Sequence, residues 1–441
     1  MPPPSKKSVQ PPVAPGAGAA VADWLSYLEA IHPKEIDLGL DRVLIVLRRL
    51  FRRNPRARII TVAGTNGKGS CVAALEALLR AAGRSTGAYT SPHLQNYNER
   101  VRLRGEDISD DALVKAFETV EQARGTVSLT YFEFGTLAAF VAFANAGVDD
   151  WILEVGLGGR LDAVNVLDAD LAILTSVDID HVAYLGDNRE VIGFEKAGVL
   201  RPGIPAVYAD TDVPSSVLQQ VAAQKVRLAL LDRDYWLESE QHDGQARAGV
   251  ELKHDGRAIR LPAGPLPVKS VAAAVVAVRS LEPELAIGDI ERTVCALAVP
   301  GRFERLGSAP DLFADVGHNP HAAGWLSGRL TSLKTEGRQV HAIYGALADK
   351  DVEGVARAMA GVVDHWYLAG LEVPRGLSAE SLNERFAACD VQGAGVFSSV
   401  REALAAALSS ATADDLVIVF GSFYTVAQGR DILLNNADAR I

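Results

Sequence analysis

A glycine-rich turn between an apolar run and a helical pattern has the residue types needed to hold a phosphate chain. The segment "RIITVAGTNGKGS" covers residues 58–70. In such a turn, successive backbone N–H groups and the positive end of the following helix face the anion, and Lys68 adds a point charge for the terminal phosphates. The common pattern G-x-x-x-x-G-K-[ST] is not met, because Val62 replaces its first glycine and Gly69 separates Lys68 from Ser70. Strand, turn and helix together favour nucleotide binding over a structural turn with a surface lysine.

Polar side chains that suit a hard cation follow other apolar runs. Glu154 ends "WILE", and Asp178, Asp180 and His181 follow "LAILTS". The carboxyl ends of parallel strands meet at one edge of a sheet, so these side chains are expected beside the phosphate turn, where Glu154 could bind Mg²⁺. A capping or ion-paired glutamate has the same sequence context. Ser91 in "SPHL" offers a hydroxyl ligand, or else it is a turn residue before a proline.

The composition argues against several functional classes. Hydrophobic residues make up 48% and charged residues 22% of the 441 residues, with a formal net charge of -11, so nothing draws the chain to nucleic acid or to an anionic membrane. No apolar run approaches the roughly 18 to 20 residues that cross a bilayer. Three dispersed cysteines imply neither a disulfide framework nor a zinc site. These features predict a cytoplasmic protein.

The elements that must position these residues alternate between strand and helix. Helical patterns begin near Asp23 and continue in "GLDRVLIVLRRLF", and "TLAAFVAFANAG" predicts a crossover helix ending at Gly147. Residues 207–265 alternate in polarity, which predicts small β-structure and hairpins, and "VAAAVVAVRSL" predicts another helix. A Pro-Gly break near residue 300 opens a second alternating stretch.

This pattern predicts an α/β protein with two folded domains. We expect a disordered tail at 1–20, then a P-loop ATPase-like domain at 21–298 with a mainly parallel sheet plus small β-structure, then a Rossmann-like α/β domain at 299–441.

A series of motifs resembles one enzyme family. Folylpolyglutamate synthases and dihydrofolate synthases, of the Mur ligase superfamily, have the same order of segments as this chain: "AGTNGKGS", "SPHL…ERVR", "TYFEFGTLAAF", "LEVGLGGRLDAVN", "TSVDIDH", "EKAG", "PGRFE", "DVGHNPHA" and "DKD". The resemblance covers residues 23 to 430, and the joint presence of so many motifs makes it far more specific than the phosphate turn alone.

The resemblance implies where nucleotide, metal and substrate bind. For ATP it implies Gly64, Thr65, Asn66, Gly67, Lys68, Gly69, Ser70, Ser270, Arg302 and Asp315, the last two from the second domain. For two Mg²⁺ ions it implies Ser91, Glu154, His181 and Lys196, the lysine carrying a carbamate derived from CO₂. For the pterin-bearing substrate it implies Asp37, Leu38, Gly39, Thr130, Tyr131, Phe132, Glu133, Arg160, Leu161, Asp162 and Ala163. Chemistry is expected to centre on Lys68, Glu154, His181 and Lys196.

Two residues depart from the family pattern. Ser270 stands where an asparagine usually touches the nucleotide, which puts one adenine or ribose contact in doubt. Gly317 replaces the alanine usual in "DxAHNP", a change expected to matter little.

Lys196 also has an alternative interpretation, a solvated lysine near the end of a helix in "FEKAGVL".

The resemblance implies an ATP-dependent ligase that activates an acceptor carboxylate as an acyl phosphate and transfers the acyl group to the amine of L-glutamate. We expect a monomer by default. The acceptors would be dihydropteroate and reduced folates, with no nucleic acid or membrane partner. Alternatives are a folylpolyglutamate synthase with that single activity, another Mur-type amino acid ligase, and, from a different class, a nucleotide-dependent switch or binding module. Only about sixty residues precede the phosphate turn. The sequence shows no recognisable uridine-nucleotide domain there, which argues against a peptidoglycan ligase.

Overall fold

The computed structural model describes residues 12–435 apart from 17, 35, 243–244 and 390–394. Residues 1–11 and 17 of the expected tail lie outside the described residues. None of the helices in the described part of the chain is long and apolar enough to cross a membrane.

The first part of the chain winds helices around an eight-stranded sheet. Its elements are α1 (Val21–Ala30), α2 (Asp41–Leu50), β1 (Arg58–Ala63), α3 (Lys68–Ala81), β2 (Thr86–Tyr89), a 3₁₀ turn (Tyr97–Arg100), β3 (Val101–Leu103), β4 (Glu106–Asp107), α4 (Asp110–Arg124), α5 (Tyr131–Ala146), β5 (Asp150–Glu154), a second 3₁₀ turn (Ala163–Val166), β6 (Leu171–Leu174), α6 (Val182–Leu185), α7 (Arg189–Ala197), β7 (Pro205–Tyr208), α8 (Ser215–Gln224) and β8 (Arg227–Leu230).

The strands of this sheet run in the order β4-β3-β2-β5-β1-β6-β7-β8. All pairs from β2 to β8 are parallel, and β3 and β4 add an antiparallel edge. Strand β1 lies between β5 and β6, so the turn after β1 is flanked by the ends of both neighbours. Because buried parallel strands carry apolar residues on both faces, this placement explains the apolar runs in the sequence.

Helix α5 is the crossover helix that the sequence predicts. It is buried at every residue from Glu133 to Phe143, and Gly147 ends it in the left-handed conformation at a φ of 62°. At its start, the Thr130 hydroxyl accepts from the Glu133 backbone N–H, and the Glu133 carboxylate accepts from the Thr130 backbone N–H. This reciprocal cap satisfies two backbone donors at the buried end of the helix.

The region at 207–265 contains more than the predicted hairpins. The antiparallel sheet of β9 (Tyr235–His242), β10 (Gln245–His254) and β11 (Arg257–Pro262) confirms the expected small β-structure. Before it, however, α8 and β8 extend the main sheet by one parallel edge strand. Helices α9 (Val268–Leu281) and α10 (Ile287–Cys295) follow, and α9 packs with α3 on the face of the main sheet.

The second part of the chain is a separate α/β unit. Its elements are β12 (Glu304–Ser308), β13 (Asp311–Asp315), α11 (Pro320–Leu333), β14 (Val340–Tyr344), α12 (Val352–Met359), β15 (His365–Ala369), α13 (Ala379–Ala387), β16 (Gly395–Phe397), α14 (Val400–Ser410), β17 (Leu416–Phe420) and α15 (Phe423–Asn435). The strand order is β12-β13-β17-β14-β15-β16, parallel except for β12. The α/β class and both mainly parallel sheets are therefore as predicted.

Candidate active site

The turn between β1 and α3 is closely packed at two glycines. Gly67 has a φ of 81°, and a Cβ there would lie 2.3 Å from the Ser270 hydroxyl oxygen. A Cβ on Gly64, whose φ is 148°, would lie 1.9 Å from the Thr175 hydroxyl oxygen. Both positions therefore need glycine on grounds of backbone conformation and space. The turn brings its backbone to the N-terminus of α3, where a phosphate group would meet N–H donors.

Lys68 lies folded over this turn. Its ammonium donates to the carbonyl oxygens of Gly64 at 3.1 Å and Thr65 at 3.2 Å. Burial lowers the pKa of Lys68, while the nearby carboxylates of Glu154 and Asp180 oppose that effect. The cation is thus held at the loop by carbonyl oxygens that a phosphate chain could replace.

Glu154, at the end of β5, faces the same turn. Its Oε2 accepts a hydrogen bond from the Ser91 backbone N–H at 3.2 Å. A Cβ added to Gly69 would lie 3.7 Å from Glu154 Oε2 and 3.6 Å from an Arg302 guanidinium nitrogen, so both side chains lie against the turn. Burial raises the pKa of Glu154, and the charges of Lys68 and Arg302 oppose the rise. The carboxylate and two cations from distant parts of the chain therefore converge on the loop.

Lys196, in the last turn of α7, is buried at the same place. Its side chain donates to the Gly64 carbonyl oxygen at 3.0 Å, and the residue is only 4% exposed. Burial and the nearby Lys68 lower its pKa to about 7, against the opposing charges of Asp180 and Asp162. A substantial fraction of this amine is therefore uncharged at neutral pH. The alternative of a solvated lysine does not fit this burial.

His181 completes the group on the first domain. It precedes α6 with a φ of 53° and lines a small cavity together with Gly64, Lys68 and Lys196. Burial lowers its pKa to about 4, so the imidazole is neutral and able to ligate a metal.

In the described part of the chain, no three or more His, Cys, Asp or Glu side chains form a group that could hold a metal ion. The set expected from the sequence has only two residues of those types, Glu154 and His181. Its other members are a hydroxyl and a modified lysine.

Arg302 and Asp315 belong to the second domain and lie beside the phosphate turn of the first domain. The Arg302 guanidinium lies 5.2 Å from the centre of the Phe423 ring. Burial lowers the pKa of Arg302, and the carboxylates of Asp315 and Glu154 oppose that shift. Asp315 accepts from the backbone N–H groups of Phe303 at 2.8 Å and Gly317 at 2.7 Å. A Cβ at position 317 would lie 2.8 Å from an Asp315 oxygen. An alanine at this position would therefore crowd the carboxylate, which the glycine avoids.

Four side chains, which we call the interdomain clasp, join the two domains: Asn66, Asp180, Asn319 and Lys350. Asn66 donates to Asn319 Oδ1 at 3.2 Å, and Asn319 donates back to Asn66 Oδ1 at 3.0 Å. Asp180 accepts from Asn319 at 3.2 Å and from Lys350 at 3.0 Å. The motifs "HNP" and "DKD" mark Asn319 and Lys350 in the sequence, but they give no indication of this partnership.

A cavity of about 810 Å³ opens beside the metal-binding candidates. It is lined by ten of the eleven residues matched to the pterin-bearing substrate: Asp37, Leu38, Gly39, Thr130, Tyr131, Phe132, Glu133, Leu161, Asp162 and Ala163. The structure places Arg160 elsewhere, because its side chain pairs with Glu195 at 2.8 Å and lies over the Phe194 ring. The cavity volume is that of a site for a small organic ligand.

Three carboxylates that line this cavity have hydrogen-bond or ion-pair partners within the first domain. Arg42 bridges Asp37 at 2.8 Å and Glu133 at 2.9 Å. Asp162 accepts from the backbone N–H groups of Leu157 at 2.8 Å and Val164 at 3.0 Å. Burial raises the pKa of Asp162 to about 6. The sequence did not single out several other lining residues, among them His32, His93, Arg100, Pro374, Arg375 and Tyr424.

Comparisons with known proteins found a matching family model and similar relatives. The family model described as "Mur ligase, glutamate ligase domain" matches residues 301–423. The chain is 43% identical over 430 residues to the Escherichia coli (strain K12) protein named dihydrofolate synthase/folylpolyglutamate synthase, covering 95% of this chain and 97% of the relative.

Two solved structures share the whole architecture. Escherichia coli FolC in complex with DHPP and ADP has a TM-score of 0.89 and 42% identity, covering 97% of this chain and 100% of that one. The Yersinia pestis bifunctional folylpolyglutamate synthase/dihydrofolate synthase complexed with AMPPNP and Mn has a TM-score of 0.87 and 42% identity, covering 94% of this chain and 98% of that one.

Proposed function

The chain belongs to the dihydrofolate synthase/folylpolyglutamate synthase family of ATP-dependent Mur ligases, and we propose that it joins L-glutamate to dihydropteroate and to the glutamate tail of reduced folates. One observation carries the proposal. The phosphate turn, with Lys68 and Lys196, lines a small cavity that shares Gly156, Leu157 and His181 with the large substrate cavity, and Glu154 and Arg302 lie against the same turn.

The first chemical step is phosphoryl transfer. The acceptor carboxylate attacks the γ-phosphorus of ATP, the bond to the bridging oxygen of ADP breaks, and an acyl phosphate forms. Lys68 and the backbone N–H groups of the turn would hold the phosphates, and Arg302 would offset charge on the transferring group. We assign the remaining nucleotide contacts to Asp315 and Ser270, which lie beside Arg302 and Gly67 respectively.

The second step forms the amide. The amine of L-glutamate attacks the acyl carbon, and phosphate leaves from the tetrahedral intermediate. Water would hydrolyse the acyl phosphate, so the site must exclude solvent before the first step. The interdomain clasp supports such a closed arrangement, since it joins the phosphate turn directly to the second domain.

Divalent metal fits the donor set, and we assign Ser91, Glu154, His181 and Lys196 to two Mg²⁺ ions. A buried carboxylate, a hydroxyl and a neutral imidazole suit such ions, which would neutralise charge on the transferring phosphoryl group. A cationic lysine would not suit them. Lys196 has a lowered pKa, so its amine is available to react with CO₂, and the resulting carbamate would supply anionic oxygen ligands.

The organisation of the chain supports two further proposals. We place the boundary between the nucleotide-binding domain and the glutamate ligase domain at residues 298/299, after α10 and before β12. We also propose a cytoplasmic protein without nucleic acid or membrane partners, on the basis of the formal net charge of -11 and the three dispersed cysteines, and we take a monomer as the default state.

A phosphate-release assay tests the proposed function. Purified protein is supplied with ATP, Mg²⁺, L-glutamate and either dihydropteroate or tetrahydrofolate, and product amide is quantified beside ADP. We expect ADP formation to require acceptor and glutamate and to yield one amide per ATP. ATP hydrolysis indifferent to both would exclude a ligase and favour a nucleotide-dependent switch. Turnover with tetrahydrofolate but not dihydropteroate would leave a folylpolyglutamate synthase alone.

A further inference from the structure

Arg100 places a cation in the wall of the substrate cavity. It ends the 3₁₀ turn Tyr97–Arg100, before β3, and it is only 9% exposed. Its guanidinium carbon lies 5.1 Å from the centre of the Tyr97 ring and 5.5 Å from that of Tyr131. Two aromatic rings thus hold the planar group where it lines the cavity.

The orientation of this guanidinium is fixed by a hydrogen bond to a histidine. Arg100 Nε donates to His93 Nδ1 at 2.8 Å. With Nε engaged, the two terminal nitrogens are the donors left for a ligand, in the fork geometry that suits a carboxylate.

Arg100 has no carboxylate partner within salt-bridge distance among the described residues. Other cations along the cavity differ in this respect: Lys34 pairs with Asp37 at 3.3 Å, and Arg375 lies 3.6 Å from Asp349. A nine-tenths buried guanidinium without an anion is costly unless a ligand supplies one. The terminal nitrogens of Arg100 are therefore candidates to bind a carboxylate that a ligand supplies.

We propose that Arg100 is a specificity-determining residue that binds the carboxylate of the acceptor, the group that will attack ATP. This inference rests on the proposed function. The phosphates of ATP have their own partners in the turn, Lys68 and Arg302, whereas Arg100 lies among the residues of the substrate cavity. Glu154 is close enough to interact electrostatically with Arg100. An acceptor carboxylate approaching that anion would be repelled unless a cation stood beside it.

The test compares two acceptors that differ only in charge. Binding of dihydropteroate and of its benzamide analogue, in which the carboxylate is replaced by an amide, is measured by calorimetry on wild type and on Arg100→Met. Methionine keeps much of the length of the side chain between the two rings. We expect the variant to lose about tenfold or more in affinity for dihydropteroate, as for a charged hydrogen bond, and little for the amide.

Three comparisons make the result interpretable. Arg100→Lys should restore part of the preference for the acid, since it keeps the charge but not the fork. Arg104→Met, an exposed arginine whose guanidinium donates to the Ala146 carbonyl, should behave as wild type. Thermal unfolding monitors the fold of each variant. Equal losses for acid and amide, or no loss for either, would overturn the assignment of Arg100. Wild type that bound neither ligand would instead contradict the proposed function.

Discussion

The side-chain amides of Asn66 and Asn319 exchange hydrogen bonds at 3.2 and 3.0 Å. Asn66 belongs to the phosphate turn, and Asn319 is the N-cap of α11 in the second domain, where it accepts from the Ala322 backbone N–H at 2.9 Å. Any movement that separates the domains must break this pair. The position of the nucleotide loop and the closure of the enzyme are therefore mechanically linked.

Removing the Asn66 amide should impair closure more than nucleotide binding. In Asn66→Ala we expect kcat to fall by about tenfold or more, while ATP affinity, dominated by the backbone of the turn and Lys68, changes by only a few-fold. Steady-state kinetics and direct ATP titration measure the two effects. If the pair acts as a unit, adding Asn319→Ala to Asn66→Ala should cost less than the sum of the single changes. Wild-type kcat in Asn66→Ala would contradict the role of the clasp.

Arg302 should be required for productive nucleotide binding although it lies outside the domain that contains the phosphate turn. We expect Arg302→Ala to raise the KM for ATP, lower kcat, or both, by about tenfold or more, because its charge faces Glu154 and Asp315 beside the turn. Arg305→Ala serves as the control, since Arg305 is an exposed residue that pairs with Asp311. Unchanged ATP kinetics in a folded Arg302→Ala protein would show that this segment is merely a linker.

Lys196 should be required for turnover but not for binding ATP. We expect Lys196→Ala to lose most activity, on the order of a hundredfold or more, because the anionic ligand for the metals is gone. Nucleotide binding through the turn should persist in an ATP titration. Acetate or formate is expected to restore part of the rate by supplying a carboxylate in the vacated space. Near wild-type turnover without such rescue would exclude a carbamate at this position.

The pH dependence of activity should reflect the same amine. Only the neutral amine adds CO₂, and the Lys196 pKa lies at about 7, so activity should fall as pH drops below that value and rise with added bicarbonate. His181, with a pKa lowered to about 4, stays neutral over this range and does not contribute. The fall in activity below pH 7 should become less steep in the Lys196→Ala variant when acetate restores its turnover. If activity fell just as steeply in the rescued variant, the fall would be due to another group, such as Asp162 with its pKa of about 6.

Stability should show the corresponding cost of burying Lys196. Its folded pKa is depressed from 10.5 to about 7, so the destabilisation grows as pH falls from 10.5 towards 7 and is complete below 7. In CO₂-free buffer, Lys196→Met should therefore be more stable than wild type at pH 6, on the order of 1–3 kcal/mol, and not at pH 10.5. Chemical denaturation at the two pH values measures this difference. Equal stability at both would indicate that the amine is solvated.

The sequence predicted that several candidate residues lie close together, because they are found at or after the ends of neighbouring strands. Glu154 ends β5 and His181 follows β6. These two strands flank β1, and the carboxyl ends of parallel strands meet at one edge. The edge strand β8 was missed because its polarity pattern is that of a half-exposed strand, which a hairpin strand shares. The helix before it, α8, has a single fully buried residue, Val217.

Relationships between distant side chains could not be predicted in this way. Asn66 and Asn319 are separated by 253 positions, and their pairing depends on how two complete domains dock. Arg100 is one of several arginines in "NERVRLR", and only the fold shows which of them lies between two tyrosine rings. Arg160 shows the converse: its neighbours Leu161 to Ala163 line the cavity, while its own side chain is held by Glu195.

Helix α5 carries the floor of the cavity on its first turn and is buried along most of its length. Backbone amides in such a helix open to solvent only when a large part of the domain unfolds. They should be among the slowest in the protein to exchange with deuterium, with or without ligand. Deuterium uptake that changes on acceptor binding should instead be found at residues 32–34, 36–39 and 91–93, which line the cavity from outside the helices and strands. The acceptor would thus contact a helix whose amide exchange is slow in both states, and its binding would be detected as a change in exchange at the surrounding loop residues.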